Sequence, residues 1–426
     1  MKIKVLYTKG SKRIKKILGR FIPYNTRYKP TGVCKINQEN PELLKKSEIT
    51  VHPVYPNLVT SLDISEDLFD AISDYWKPQR QVTTDYMVVD VPMGRLYTDH
   101  ESSVAIITRY NKVVENVSLS LTGGKVTEPN LNNIFEQRYF VEPTKFEGTV
   151  FSLLTGGAGI NNISHWFVDV LPRLHLLKQS GLYDQVDWFL MPSLRYDYQR
   201  ETLELLGIPA NKLIEGDKHI HITADRILAS TAPRGNHTLV PTWLCQYIKD
   251  SFMPYADEQD VSSATEEAPY LYISRSDSSI RNVLNEKELL EALEPYGFKN
   301  VVSSKLSIIE KIKLFSQAKV VMGACGAGLI NMLFCQPGTK LIEVYNEGFI
   351  LEPFYDIATK TNLDHQYVIC KGNKNVKTAD QGMKEHVVFE IDKILALLQE
   401  LDIPTKEETV EAEIDAEKEQ EQALQS

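Results

Sequence analysis

The stretch KVVMGACGAGLINMLFCQPGTKLIEVY, Lys319 to Tyr345, decides the fold class. It opens on a short apolar run, Lys319 to Met322, and passes through Gly323, Gly326 and Gly328. A second apolar run ends at Phe334, Pro337 and Gly338 make a turn, and a third run spans Leu341 to Tyr345. Val320 to Thr339 carries no charge and is long enough to suggest a membrane span, but the three glycines, Asn331, Gln336 and the Pro-Gly turn break it up. The reading is strand, glycine loop, helix, strand, the unit of a parallel sheet covered by helices.

The same alternation extends outward. Tyr270 to Ser274 reads as a strand, and Asn285 with Glu288 as a capping box opening a helix that runs to Pro295. Val301 and Val302 form the next strand, and Ser307 with Glu310 a second capping box. Upstream, Val113 to Leu121, Thr149 to Leu154, Trp188 to Met191 and Arg226 to Ser230 read as strands, with a helix from Tyr198 to Leu206 that stops at Gly207 and Pro209. Pro254 to Pro269, acidic and serine-containing with proline at either end, reads as a linker. The expected organisation is a basic segment 1–38, an N-terminal α/β domain 39–255, an acidic linker 256–269, a C-terminal α/β domain 270–403 and an acidic tail 404–426 without aromatic residues.

With 426 residues, 42% hydrophobic and 24% charged, the chain has the composition of an ordinary globular protein of two or three domains. The net charge of -10 is unevenly spread: Met1 to Gln38 holds eleven basic residues and no acid, whereas the tail from Pro404 carries -6. The remaining middle is therefore strongly acidic, which argues against a broad nucleic-acid surface. Lys12 to Phe21 places Ile14, Ile17, Leu18 and Phe21 at helical spacing among basic residues. It reads either as a helix lying on an anionic membrane or as a solvated tail. Five cysteines, Cys34, Cys245, Cys325, Cys335 and Cys370, form no CxxC pair, which fits a reducing compartment and gives no zinc signature.

Three constellations carry chemistry. In the first, a strand feeds a glycine turn, with Gly157, Gly159 and Asn162, and then a helix on which His165, Asp169 and Arg173 share one face. A histidine and a carboxylate at a helix start form an acid–base pair, because imidazole titrates near neutrality and the carboxylate can orient it or act itself. In the second, Arg275 and Arg281 follow the C-terminal end of a strand, where open α/β sheets place ligands and where guanidinium forks suit phosphate oxygens. The third is the glycine loop itself, Gly323, Cys325, Gly326, Ala327, Gly328 and Asn331, a helix start able to hold an anion. Glu343 at the end of the next strand is a candidate for ribose hydroxyls. The loop has neither the Walker nor the GxGxxG spacing.

Together the His165–Arg173, Ser274–Glu286 and Gly323–Phe334 stretches resemble glycosyltransferase family 61 in order and separation, over about Thr149 to Ala358. The resemblance implies a GT-B fold of two facing Rossmann-like α/β domains with a deep cleft between them. It also implies inverting, metal-independent transfer from a nucleotide-sugar, a UDP-sugar foremost, to a glycan acceptor in capsule or surface-polysaccharide synthesis. No cofactor beyond the donor is implied. The absence of any Asp-x-Asp from the sequence agrees, with Arg275, Arg281 and the glycine loop replacing metal charge. Asp169 is expected to be the base and His165 its orienting partner, since a carboxylate is already deprotonated at pH 7. Relatives commonly hold histidine where this chain has Cys325. Two other readings stay open: an inactive nucleotide- or glycan-binding relative, and a hydrolase using Cys325. Analogy places the protein in the cytoplasm, with peripheral contact at the inner membrane face through the basic N-terminus.

Overall fold

A computed structural model describes residues 25–36, 48–122, 125–257, 268–372 and 378–409. The basic segment Lys12–Phe21, most of the acidic linker and the tail beyond Thr409 lie outside the described residues.

The described chain is α/β and is organised around two sheets. The smaller has five strands, Tyr270–Ile273, Lys299–Val301, Val320–Ala324, Lys340–Asn346 and Asp364–Cys370, all parallel. Their spatial order places the second strand outside the first, followed by the third, fourth and fifth. The order therefore reverses between Tyr270–Ile273 and Val320–Ala324, a switch point at whose carboxyl ends open α/β sheets place ligands. Burial drives the composition of this sheet: every residue of Val320–Ala324 is buried, as a parallel strand covered on both faces requires.

The larger sheet is mixed, with twelve strands among the described residues. Its parallel part runs His221–Ser230, Thr144–Ser152, Trp188–Met191, Leu213–Glu215, with helical crossovers. Its other part is antiparallel apart from the short parallel pair of Val33–Cys34 with Val113–Val114: Gln81–Pro92 and Arg95–Thr98 both pair with His221–Ser230, and Thr50–Ser61 pairs with Gln81–Pro92. Rossmann-like topology is thus confined to four of the twelve strands of the N-terminal sheet. The Met93-Gly94 interruption, where a Cβ on Gly94 would sit 2.9 Å from Val91 O, breaks one continuous line of pairing: Pro92 lies opposite Arg226 and Arg95 opposite Thr223, so both strands run the same way along His221–Ser230. The run Val113–Leu121 is likewise interrupted by a 3-10 turn at Glu115–Val117.

The two sheets share one hydrophobic core. Phe167 and Phe252 from the first half meet Phe334 from the second, with ring centroids 5.6 to 6.1 Å apart. The same core continues through Leu174, Leu271 and Ile308. Backbone donors are satisfied across this junction too: Ile308 N donates to Glu201 Oε2 at 2.6 Å.

Local signals held where the bond is local. Ser307 Oγ accepts from Glu310 N at 3.2 Å and Ser307 N donates to Glu310 Oε2 at 2.7 Å, the reciprocal cap at the start of Ile308–Ser316. The cap at Asn285 does not form, and this corrects the sequence expectation. The Asn285 side chain instead pairs with both backbone groups of Phe389, at 2.9 Å each, stitching the last segment to the sheet.

Candidate active site

The helix that follows the glycine turn is irregular. Ile163–His165 is α-helical, Trp166–Val170 is a π turn in which Leu171 N donates to Trp166 O, and Pro172–Gln179 resumes the α form. Pro172 has no N–H to give to the carbonyl four residues back, so the widened turn accommodates it. Such turns recur at functional sites. Asn162 caps the helix by accepting from Ser164 N and His165 N at 2.9 and 3.3 Å.

His165 Nδ1 and Asp169 Oδ2 lie 2.6 Å apart, so the pair anticipated from the i, i+4 spacing is formed. Asp169 has a second partner that the sequence reading missed. Arg234 grips it with both prongs, Nε to Oδ1 and Nη2 to Oδ2, each at 2.9 Å. Burial alone would raise the Asp169 pKa. The Arg234 charge and the His165 hydrogen bond outweigh burial and hold it well below the ordinary carboxylate range. A carboxylate so strongly acidic is a weak proton acceptor, which reverses the order expected from sequence. Because an ionised Asp169 can only accept, Nδ1 of His165 donates and the lone pair is left on Nε2. No described residue hydrogen-bonds to that nitrogen, and the side chain is 39% exposed. Arg234 follows the strand His221–Ser230 in a Pro233-Arg234-Gly235 turn; its position past a strand end was the one available clue.

Arg173, the third member of the predicted face, is 5% exposed and structural: Nε donates to Asp169 O at 3.0 Å and Nη1 to Ser230 O at 2.9 Å. Burial pulls its pKa down to about 10. Gly157, at φ 99°, approaches the carbonyls of His100 and Glu101, while a Cβ on Gly159 would strike Val170 at 2.3 Å. These residues set the turn and the helix packing and do not form an open acceptor surface.

At the switch point of the small sheet, Arg275 and Arg281 come together. Arg275 Nε donates to Arg281 O at 2.9 Å, and its Nη2 donates to Ser278 Oγ and Ile280 O at 3.0 Å each. Arg281, in the left-handed region at φ 55°, donates Nη1 to Cys325 O at 3.1 Å and lies over Phe349. Among the described residues neither guanidinium has a carboxylate within ion-pair distance, and Arg275 Nη1 and Arg281 Nη2 have no protein acceptor. Burial, then the Arg281 charge, draws the Arg275 pKa down to about 10. Two adjacent cations, one of them 9% exposed, with no carboxylate in ion-pair contact among the described residues and Asp277 acting on Arg275 only at longer range, make an arrangement that suits an anion. Gly326 is essential to this arrangement, because a Cβ there would lie 1.7 Å from Arg275 Nη1.

The glycine loop is less open than the sequence implied. Gly323 and Gly328 admit the close approach of Ile273, Ala327 begins a 3-10 helix ending at Phe334, and Asn331 is fully buried, donating to Ser303 Oγ and Gly328 O. Asn331 therefore joins two turns and is withdrawn as a ligand. Glu343 is withdrawn for the same reason: it is fully buried, accepts from Tyr345 OH at 2.7 Å, and lies 3.1 Å from His365 Nε2. Cys325 is buried beside it. Burial, then the Glu343 charge, pushes the thiol well above its usual value, which is the opposite of what a cysteine nucleophile needs.

The segment Ile163–His165 packs against the 3-10 helix Ala327–Phe334 that follows the glycine loop. Among the described residues no three His, Cys, Asp or Glu side chains converge on a point where they could bind a metal. No described helix is long and apolar enough to cross a membrane.

A histidine held by a carboxylate, and two arginines with free donors at the switch point of a parallel sheet, are features that group-transfer enzymes use. Residues 163–342 match the family model described as Glycosyltransferase 61, a span holding the dyad, Arg234, both switch-point arginines and the glycine loop. That span belongs to glycosyltransferase family 61, and the protein is a glycosyltransferase. Comparison with curated proteins gives no match.

Proposed function

We propose that the protein is an inverting transferase of GT-B type. It would move a sugar from a nucleotide diphosphate donor, a UDP-sugar foremost, to a hydroxyl of a glycan acceptor in surface or capsular polysaccharide synthesis. The observation that carries this reading is that the segment bearing His165 packs against the 3-10 helix following the glycine loop, to which Arg281 donates at Cys325 O. The donor diphosphate lies against Arg275 Nη1 and Arg281 Nη2, whose fixed charges stabilise the leaving nucleotide as the glycosidic bond breaks and so serve where other transferases use a metal. His165 Nε2 takes the acceptor hydroxyl proton as the oxygen attacks the anomeric carbon from the opposite face, and Asp169 holds the resulting imidazolium. This service is worth roughly 10² to 10⁴ in rate.

Incubation with UDP-glucose, UDP-galactose, UDP-N-acetylglucosamine and UDP-xylose, with detection of released UDP, tests the reading. Turnover of at least one donor is expected, lost in His165→Ala. Arg281→Ala should weaken UDP binding by about 1.5–3 kcal/mol, the scale of a charge-assisted hydrogen bond. UDP binding unaffected by alanine at either arginine would remove the donor site from this switch point. Peripheral membrane contact through the basic N-terminus is part of the same proposal and rests on its charge alone.

A further inference from the structure

The loop after the strand His221–Ser230 does more than supply a counter-ion. Arg234 contacts both oxygens of Asp169, and its Nη1 donates to Thr238 O at 3.3 Å. Thr238 Oγ1 donates to Glu352 Oε1, and Val240 N donates to Asp356 Oδ2 at 2.7 Å. Glu352 and Asp356 belong to the start of the helix Pro353–Lys360, which lies between the fourth and fifth strands of the donor-side sheet. Both are 1% exposed, and Asp356 is paired with Lys360 at 2.6 Å. One loop thus connects the carboxylate of the dyad to the donor half.

We propose that Arg234 is a positioning residue that assigns the roles within the dyad. Its fork fixes Asp169 as the orienting carboxylate, leaves Nε2 of His165 as the proton acceptor, and ties that alignment to the helix at Glu352 and Asp356. Geometry and charge each contribute. The fork leaves Asp169 one orientation, with Oδ2 shared between Arg234 and His165. The guanidinium charge also offsets the carboxylate charge that faces the imidazole. The other charged or titratable groups facing this cluster are Arg173 from the same helix, Glu352, Asp356 and Lys360 from the donor-side helix, and His237 from the loop itself. Burial, then the Arg234 charge, lowers the His237 pKa to about 4, so this histidine is neutral at working pH.

The inference rests on the transferase reading for its rate measurements but not for its spectroscopic ones. In full-length protein labelled with ¹⁵N-histidine, with the resonance assigned by His165→Gln, the His165 titration is followed in wild type, Arg234→Gln and Arg234→Lys. Loss of the charge in R234Q should move the His165 titration upward by about one unit, while R234K should leave it near the wild-type value. With whichever of the four UDP-sugars turns over, both variants should lose about 10²-fold in kcat, because lysine keeps the charge and not the fork. KM for the donor should stay within twofold, and the acid limb of the R234Q rate profile should follow the shifted titration. A purely structural arginine would lower the melting temperature and leave the titration unmoved. That outcome in folded R234Q, or wild-type kcat in R234K, would overturn the proposal. If R234Q does not fold, the kcat of R234K decides alone. The titration pattern without turnover of any UDP-sugar would uphold the positioning role and reject the transferase reading.

Discussion

Asp169→Asn perturbs the site at its most connected atom, and the consequences can be worked out for both stability and rate. The carboxylate receives three short contacts, 2.6 Å from His165 and 2.9 Å twice from Arg234, and the Arg234 side chain is only 14% exposed. An amide cannot neutralise that guanidinium, and breaking a buried pair from one side costs about 3–5 kcal/mol. For a chain of this size, whose unfolding entropy is on the order of 0.8 kcal/mol per kelvin, the melting temperature should fall by ~4–6 °C. Combining Arg234→Met with Asp169→Asn should recover part of that loss, since removing both partners leaves no buried charge unpaired. The pH dependence has a definite sign. Because the folded pKa of Asp169 is depressed, its stabilisation is fully present above the ordinary carboxylate value near 4 and is lost as the pH falls toward the native value. The gap in melting temperature between wild type and Asp169→Asn should therefore be constant at neutral pH and narrow progressively below about pH 4. Thermal scans from pH 3 to 8 measure it, and turnover at pH 7 should fall by about 10²-fold or more. A gap that does not narrow in acid, or a double variant whose losses simply add, would refute the charge-pair reasoning.

Three further outcomes are expected. Gly326→Ala removes no charge, yet it must displace the Arg275 guanidinium, so UDP affinity by calorimetry should drop about tenfold or more in a folded protein; unchanged affinity would detach Arg275 from the donor site. Ser307→Ala deletes a formed cap and should destabilise by about 1 kcal/mol without altering donor KM. Deleting residues 1–21 should release the protein from anionic vesicles at low salt, and equal co-sedimentation with and without the segment would end the membrane proposal.

The aromatic contacts near Arg281 show how the halves cooperate around the switch point. Trp76, from the first half of the chain, meets Phe349 edge-on at 5.9 Å, and Phe349 carries Arg281 on its ring at 5.0 Å. Arg281, Ala324, Cys325, Val344, Asn346, Phe349 and Val387 enclose a void of only about 10 Å³. Under the proposed function a nucleotide would bind over this cluster or move Phe349 aside.

What the sequence determined by itself was whatever depends on backbone period and near neighbours. The parallel unit around Lys319–Tyr345, the contact of His165 with Asp169 one turn away, and the Ser307–Glu310 cap all follow from fixed helical or strand geometry over a few residues. Even the interruption at Pro172 leaves that pair intact, because the missing N–H is absorbed by one wider turn. Tertiary structure decided everything that depends on which distant segment arrives. Arg234 reaches Asp169 from 65 residues away, and Asn285 leaves its own helix for Phe389 across 104 residues. Glu343 and Asn331, polar and well placed in sequence, were removed from the site by burial that no local pattern encodes. The physical reason is that spacing along a helix or strand sets direction, whereas burial and charge pairing are set by packing. The same carboxylate that a sequence reading takes as solvated and free is therefore held in one orientation once a guanidinium closes over it.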